Sequence, residues 1–219
     1  MKISRNPAFF PILINLKYLP CLVIGGGKVA VRKVLSLLDF NADITVLSPR
    51  FCQQLIDLSK SYEIKIIKKS YSKKYINNFK IVFCTTDNSK INQTVYKDCK
   101  EAGILLNVAD DPLLCDFILP ANIKRGSLTI SVSSQGKAPF FVKGMKKKLE
   151  QFVSPVYSEI ADLAGEYRDQ IMKKAKAKSL TTKAKMFGRF LVTDWETLLA
   201  EKGKEDSRIY MQKILKEFN

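Results

Sequence analysis

Two short stretches of this sequence combine residue types and spacings that suit chemistry. In Leu22-Val-Ile-Gly-Gly-Gly-Lys-Val-Ala-Val-Arg-Lys33 an apolar run (Cys21 to Ile24) enters three glycines, and a helical pattern follows at once. Gly25, Gly27 and Ala30 fit the dinucleotide spacing G-x-G-x-x-A. In that arrangement Gly25 allows the tight turn, Gly27 lets the backbone approach a pyrophosphate, and Ala30 packs the helix closely on the sheet. The helix N-terminus offers free N–H groups and a partial positive charge to the phosphates. The plain alternative is a glycine-rich turn of any α/β domain; the position between strand and helix favours the nucleotide reading. The second stretch, Asn107-Val-Ala-Asp-Asp111, puts carboxylates at the end of an apolar run. A carboxylate beside a bound nicotinamide can take a proton while the cofactor takes a hydride. Equally, Asp110 or Asp111 can simply cap the next turn. A third cluster, Ser131-Val-Ser-Ser-Gln-Gly-Lys137, either folds into an anion-holding nest or ends a strand and starts a helix.

Composition narrows the chemistry. The 219 residues include no histidine, so proton transfer falls to carboxylates, Tyr, Lys or Cys, and nucleophilic triads and metal-ligand sets are poor expectations. Cys21, Cys52, Cys84, Cys99 and Cys115 are odd in number and lack C-x-x-C spacing, which points to reduced thiols in a cytoplasmic protein. The net charge of +16 would suit nucleic acid, but no zinc-finger spacing or RNA-binding signature accompanies it, and a small polyanion is attracted equally. No nucleic-acid partner is therefore expected. Lys2 and Arg5 ahead of Ala8–Asn15 loosely imitate an export signal. Pro11 and Lys17 interrupt the run, and no stretch reaches membrane-spanning length, so no membrane association is expected.

The elements that must position these residues alternate. Phe9–Leu16 reads as a short strand or extended segment, and Cys21–Ile24 as the first strand of a parallel sheet. A helix over Lys28–Asp39 carries Val31, Val34, Leu35 and Leu38 on one face. Strands at Ala42–Leu47, Ile64–Ile67, Lys80–Thr85 and Ile104–Val108 enclose helices at Phe51–Tyr62 and Ser89–Ala102, a doubly wound α/β pattern. After Pro112 the rhythm changes: Asp116–Ile123 and Ser127–Ser133 are successive β-like segments about a turn at Lys124-Arg125-Gly126, a small module suited to pairing with a second subunit. Helices follow over Phe140–Phe152, from Ser154 to about Lys178, and around Lys183–Leu191, Asp194–Ala200 and Asp206–Phe218. Seven basic residues and no acid lie between Gln170 and Phe190 (Lys173, Lys174, Lys176, Lys178, Lys183, Lys185, Arg189), a solvated helix face or an anion-docking surface.

Ligands of an open α/β sheet bind beyond the carboxyl ends of its strands, which selects Gly25–Val29, Ser48–Arg50, Thr85–Asp87 and Asn107–Asp111. The acid that usually holds the ribose hydroxyls after the second strand is missing. Leu47, Ser48, Pro49 and Arg50 stand there, and Arg50 suits a 2′-phosphate.

Several segments together resemble the precorrin-2 dehydrogenase/sirohydrochlorin ferrochelatase family, the N-terminal half of bifunctional siroheme synthases. They are Phe10-Pro11 with Leu16, Val23–Lys33, Thr85-Thr-Asp-Asn88 with Asn92, Asn107–Asp111, Phe117-Ile-Leu-Pro120 and Ile130–Pro139, in order over roughly the first 150 residues. The resemblance implies an α/β fold: a Rossmann-like parallel-sheet domain (1–113), a small β dimerisation module (114–150) and a helical C-terminal domain (151–219). It implies NAD-dependent oxidation of precorrin-2 to sirohydrochlorin by a homodimer, with Asp110 as the catalytic carboxylate. It maps the cofactor contacts onto Lys28, Val29, Pro49 and Arg50. The fingerprint glycines Gly25 and Gly27 and the strand-end residues Thr86 and Asn107 complete the expected cofactor site, and the nest candidates Ser133, Ser134, Gly136 and Lys137 are the expected substrate contacts. The polycarboxylate substrate suits a basic cleft. Some members also insert ferrous iron; without histidine this chain has fewer side chains to hand iron over, and dehydrogenation is the expected activity. The rival expectation is an NAD-binding, redox-sensing module without catalysis.

Overall fold

Strand β1 (Pro20–Ile24) is buried on both faces, which its unbroken apolar sequence requires, and it lies at the centre of a parallel sheet. The computed structural model describes residues 9–174 and 179–217. Residues Lys2, Arg5, Ala8, Lys176, Lys178 and Phe218, invoked above, lie outside the described residues, as does the side chain of Lys174. Helix α1 (Lys28–Leu38), β2 (Asp43–Leu47), α2 (Gln53–Ser61), β3 (Ile64–Ile67), β4 (Ile81–Cys84), α3 (Ser89–Ala102) and β5 (Leu105–Val108) complete the first part of the chain. The sheet order is β3-β2-β1-β4-β5, all parallel, in the register Val23↔Val46 on one side of β1 and Val23↔Phe83 on the other.

Alternation across the strands divides the core. Cys21, Val23, Val46 and Phe83 pack with α1 and with Leu55 of α2, whereas Leu22, Ile24, Val82 and Leu106 pack with Val95 and Cys99 of α3. Helix α3 has both its ends written in sequence. The Asn88 side chain accepts from the Lys90 and Ile91 N–H groups, and Gly103 closes the helix in the left-handed region at φ 65°.

The chain divides into two compact units, Met1–Leu119 and Pro120–Asn219. The division falls just beyond the expected boundary at residue 113, because 114–119 stays bonded to β5: Asp116 accepts from the Leu106 N–H at 3.1 Å and Asn107 donates to the Phe117 carbonyl at 3.0 Å. In the second unit β6 (Ala121–Arg125) and β7 (Leu128–Val132) form an antiparallel pair about Gly126. Helices α4 (Pro139–Phe152), α5 (Tyr157–Lys174), α6 (Leu180–Leu191) and α7 (Trp195–Lys216) follow. Arg125 Nε donates to the Val153 carbonyl at 2.9 Å, and Gly126 lies against Ser158, so the β pair and the helices pack as one body. The α5 stripe Leu163, Tyr167, Ile171 is buried with Phe190, Trp195 and Met211.

Several expectations are corrected. Of the two forms expected for Phe9–Leu16, a short strand or an extended segment, the strand is absent; Phe10 and Leu13 stand exposed, and Leu16 packs on the core. The buried face of α1 is Ala30, Val31, Val34 and Leu37, while Leu35 falls on the rim. Residues 116–120 precede β6 rather than belong to it, and the hairpin turn is Gly126-Ser127. The expected separation of the last two helices, by contrast, holds within α7, which breaks at Gly203, whose φ of 76° is non-helical. Among the described residues no helix is long and apolar enough to cross a membrane.

Candidate dinucleotide cleft and the carboxylates beside it

The loop after β1 is built for close approach. Gly25 has φ 127°, a conformation other residues avoid, and its N–H donates to the Leu47 carbonyl at 2.9 Å. Gly26 is glycine for lack of space: a Cβ there would strike the Arg50 carbonyl oxygen and come within 2.8 Å of Ser48 Oγ. Gly27, by contrast, faces open space and is the N-cap of α1, with no side chain capping the helix. The unmet N–H groups of the first turn therefore line the cleft, which suits a phosphate.

The turn after β2 is fastened to this loop. The Cys52 N–H donates to the Gly26 carbonyl at 2.8 Å, and Ser48 Oγ donates to the Arg50 carbonyl at 2.7 Å. Opposite, Thr85 Oγ1 donates to the Ile24 carbonyl at 2.9 Å, and Thr86 Oγ1 donates to Asn92 Oδ1 at 3.0 Å. The resulting cleft of about 510 Å³ lies at the carboxyl ends of the strands. Of the expected cofactor residues, Gly25, Gly27, Lys28, Val29, Pro49, Arg50 and Thr86 line it. Tyr71, which sequence reasoning missed, also lines it; its hydroxyl donates to Asp98 at 2.7 Å, and burial with that carboxylate pushes its pKa up. The sole hint in the sequence is its place just after the third strand.

Asn107 is elsewhere. It points to the α1 side of β5, where Nδ2 donates to the Phe117 carbonyl and Oδ1 accepts from Lys33 Nζ at 3.4 Å. Lys33 also stands over the Phe83 ring, 5.0 Å from its centroid, and burial pushes its pKa down. Asn107 thus organises the sheet margin and does not line the cleft.

The two aspartates after β5 divide. Asp111 accepts from the Leu113 N–H at 3.2 Å and caps a short helical turn. Asp110 is exposed beyond the strand's carboxyl end, in the left-handed region at φ 63°, and no described group bonds its carboxylate. Thiol chemistry is poorly placed: burial pushes Cys21 and Cys84 up to about 11 and Cys99 up to about 12, which keeps them protonated at neutral pH.

Ser133, Ser134, Gly136 and Lys137 belong to the second unit. The hydroxyls of Ser133 and Ser134 accept from the Gln135 and Ala138 N–H groups at 3.0 and 2.9 Å, so they serve the turn into α4; the Lys137 side chain stands exposed. Lys185 and Arg189 of the basic run are exposed too, and Arg189 pairs with Glu217. Among the described residues no three Cys, Asp or Glu side chains converge as metal ligands.

A parallel sheet whose order reverses between β1 and β4, with a glycine loop and an uncapped helix at that switch point, defines a Rossmann-type dinucleotide-binding protein. Residues 12–121 match the family described as "Putative NAD(P)-binding", and the chain belongs to that family. It is 40% identical over 172 residues to a siroheme synthase of a Psychrobacter species, covering 78% of this chain and 35% of that protein. It is 35% identical over 168 residues to the siroheme synthase of Pseudoalteromonas translucida, covering 77% of this chain and 36% of that protein. The chain thus spans about a third of the length of these curated relatives. Its fold is that of the structure titled "SirC, precorrin-2 dehydrogenase", with a TM-score of 0.70 over 96% of this chain and 98% of that one at 21% identity.

Proposed function

We propose that this chain is an NAD-dependent precorrin-2 dehydrogenase, oxidising precorrin-2 to sirohydrochlorin in siroheme biosynthesis. The observation that carries the reading is the similarity to siroheme synthases over three quarters of the chain, in a fold that sets a phosphate-ready cleft and the unbonded Asp110 beyond the carboxyl ends of one sheet. Gly25, Gly27, Lys28 and Val29 receive the pyrophosphate, and Pro49, Arg50 and Thr86 flank the rest of the dinucleotide. Bound there, NAD supplies the hydride acceptor. Oxidation of the tetrapyrrole removes a hydride and a proton, and Asp110 takes the proton. Its freedom from capping work, which Asp111 performs, leaves its oxygens available to do so.

The positive charge of the chain favours a substrate with many carboxylates. Two copies pair through the β6–β7 region, next to the exposed Phe140 and Phe141 of α4, and the free thiols suit the cytoplasm. The test is anaerobic incubation with precorrin-2 and NAD, following sirohydrochlorin absorbance and NADH together. Stoichiometric appearance of both is expected. Folded protein that binds NAD yet yields neither product would make it a redox-sensing module instead.

A further inference from the structure

Strand β5 lies at the margin of the sheet, so the main-chain groups on its outer edge meet no neighbouring strand. The segment after Asp110 folds back and supplies partners instead. Asp116 serves Leu106: its N–H donates to the Leu106 carbonyl at 2.8 Å, and its carboxylate accepts from the Leu106 N–H. Cys115 serves Val108. Its Sγ accepts from the Val108 N–H at 3.2 Å and lies 3.3 Å from the Val108 carbonyl oxygen. The same sulfur is 3.2 Å from the Asp111 carbonyl oxygen and accepts from Asn107 Nδ2 at 3.6 Å. Burial pushes the Cys115 thiol up, which keeps its proton in place for donation at neutral pH. One thiol thus holds both feet, Val108 and Asp111, of the two-residue arch Ala109-Asp110. The Ala109 N–H adds a bond to the Cys84 carbonyl at 2.8 Å. Asp110, at the crest, has its left-handed φ of 63°, which an L residue keeps where its surroundings impose it. Among the described residues no hydrogen bond reaches the main chain of Asp110 itself, so its conformation is imposed through the feet of the arch.

We propose that Cys115 is a positioning residue for the dehydrogenation: its thiol fixes the arch that aims the Asp110 carboxylate. This rests on Asp110 being the base of the reaction proposed above, and the experiment separates the two. Steady-state kinetics of the full chain with precorrin-2 and NAD, NAD titration and urea midpoints are compared for Cys115→Ala, Cys115→Ser, Asp110→Asn and the Asp110→Asn/Cys115→Ala double variant. In Cys115→Ala kcat should fall about tenfold or more, because the carboxylate is no longer held in one place. The Kd for NAD should stay within about twofold, since Cys115 does not line the cleft. Serine keeps a donor and an acceptor on the same Cβ, so Cys115→Ser should recover most of kcat. In the Asp110→Asn background Cys115→Ala should cost no further kcat, because the thiol acts through that carboxylate. A packing role alone would lower the urea midpoint and leave the kcat of the folded fraction in place. Unchanged kcat in Cys115→Ala, a serine variant as slow as the alanine one, or the same loss with Asp110 already replaced overturns the proposal. Folded wild-type protein that binds NAD without turnover overturns the dehydrogenase reading itself, and Asp110→Asn at full rate overturns the assignment of the base.

Discussion

Lys33 Nζ donates to Asn107 Oδ1 at 3.4 Å, joining the helix that starts at the glycine loop to the strand that leads to Asp110. The ammonium has no described carboxylate partner; it relies on the Asn107 amide and the Phe83 ring. Asn107→Ala removes that acceptor and the donor to the Phe117 carbonyl together. It should cost about 1–3 kcal/mol of stability, read from urea midpoints, with two half-buried groups left unsatisfied. Asn107→Asp should raise the Lys33 pKa by supplying a carboxylate, visible by side-chain NMR.

The neighbouring glycines of the loop fail differently. Gly26→Ala drives a methyl into the Arg50 carbonyl and should destabilise the protein by about 1–3 kcal/mol. Gly27→Ala meets nothing, so its melting temperature should hold, while the methyl intrudes on the phosphate path and weakens NAD about tenfold or more. A calorimetric melt and a titration on each variant separate steric cost from ligand exclusion.

For Asp110 the informative change is to asparagine. Asparagine tolerates the left-handed backbone as aspartate does, so Asp110→Asn should fold and bind NAD normally. It cannot take a proton, and turnover of precorrin-2 should fall about 10²- to 10⁴-fold. Unchanged turnover would remove Asp110 from catalysis.

Much of this was legible in the sequence, and the gaps have physical causes. Helix α3 announces itself because Asn88 and Gly103 do local work at its ends. The central strands announce themselves because burial on both faces demands unbroken apolar runs. Which face a polar strand residue takes is not local: Asn107 belongs to β5 as expected, but only the sheet shows it facing Lys33 and not the cleft. Segment 116–120 imitates a strand in its apolar content, yet Asp116 is captured by the Leu106 N–H and Lys100. Tyr71 reaches the cleft only because its hydroxyl is held by Asp98 on α3, 27 residues away in the chain.

Alkaline stability carries a fourth prediction. Cys99 titrates near 12 in the folded protein against 9.0 ordinarily, so the folded state holds its proton longer than the unfolded chain. The associated stability is intact below about pH 9 and is lost as pH climbs towards 12. Each pH unit in that window should cost up to about 1.4 kcal/mol from this thiol. Cys99→Ala should be slightly less stable at pH 8, from the small void, but lose less between pH 9 and 11 in urea titrations.

The bond from the Cys52 N–H to the Gly26 carbonyl has a consequence for how this protein can diverge. It makes the phosphate loop and the turn bearing Arg50 a single mechanical part. An insertion or deletion between Ser48 and Cys52 would displace both at once, so coenzyme grip and coenzyme choice can drift separately only through side-chain replacement. Variation among descendants of this chain should therefore appear there as substitutions at constant spacing.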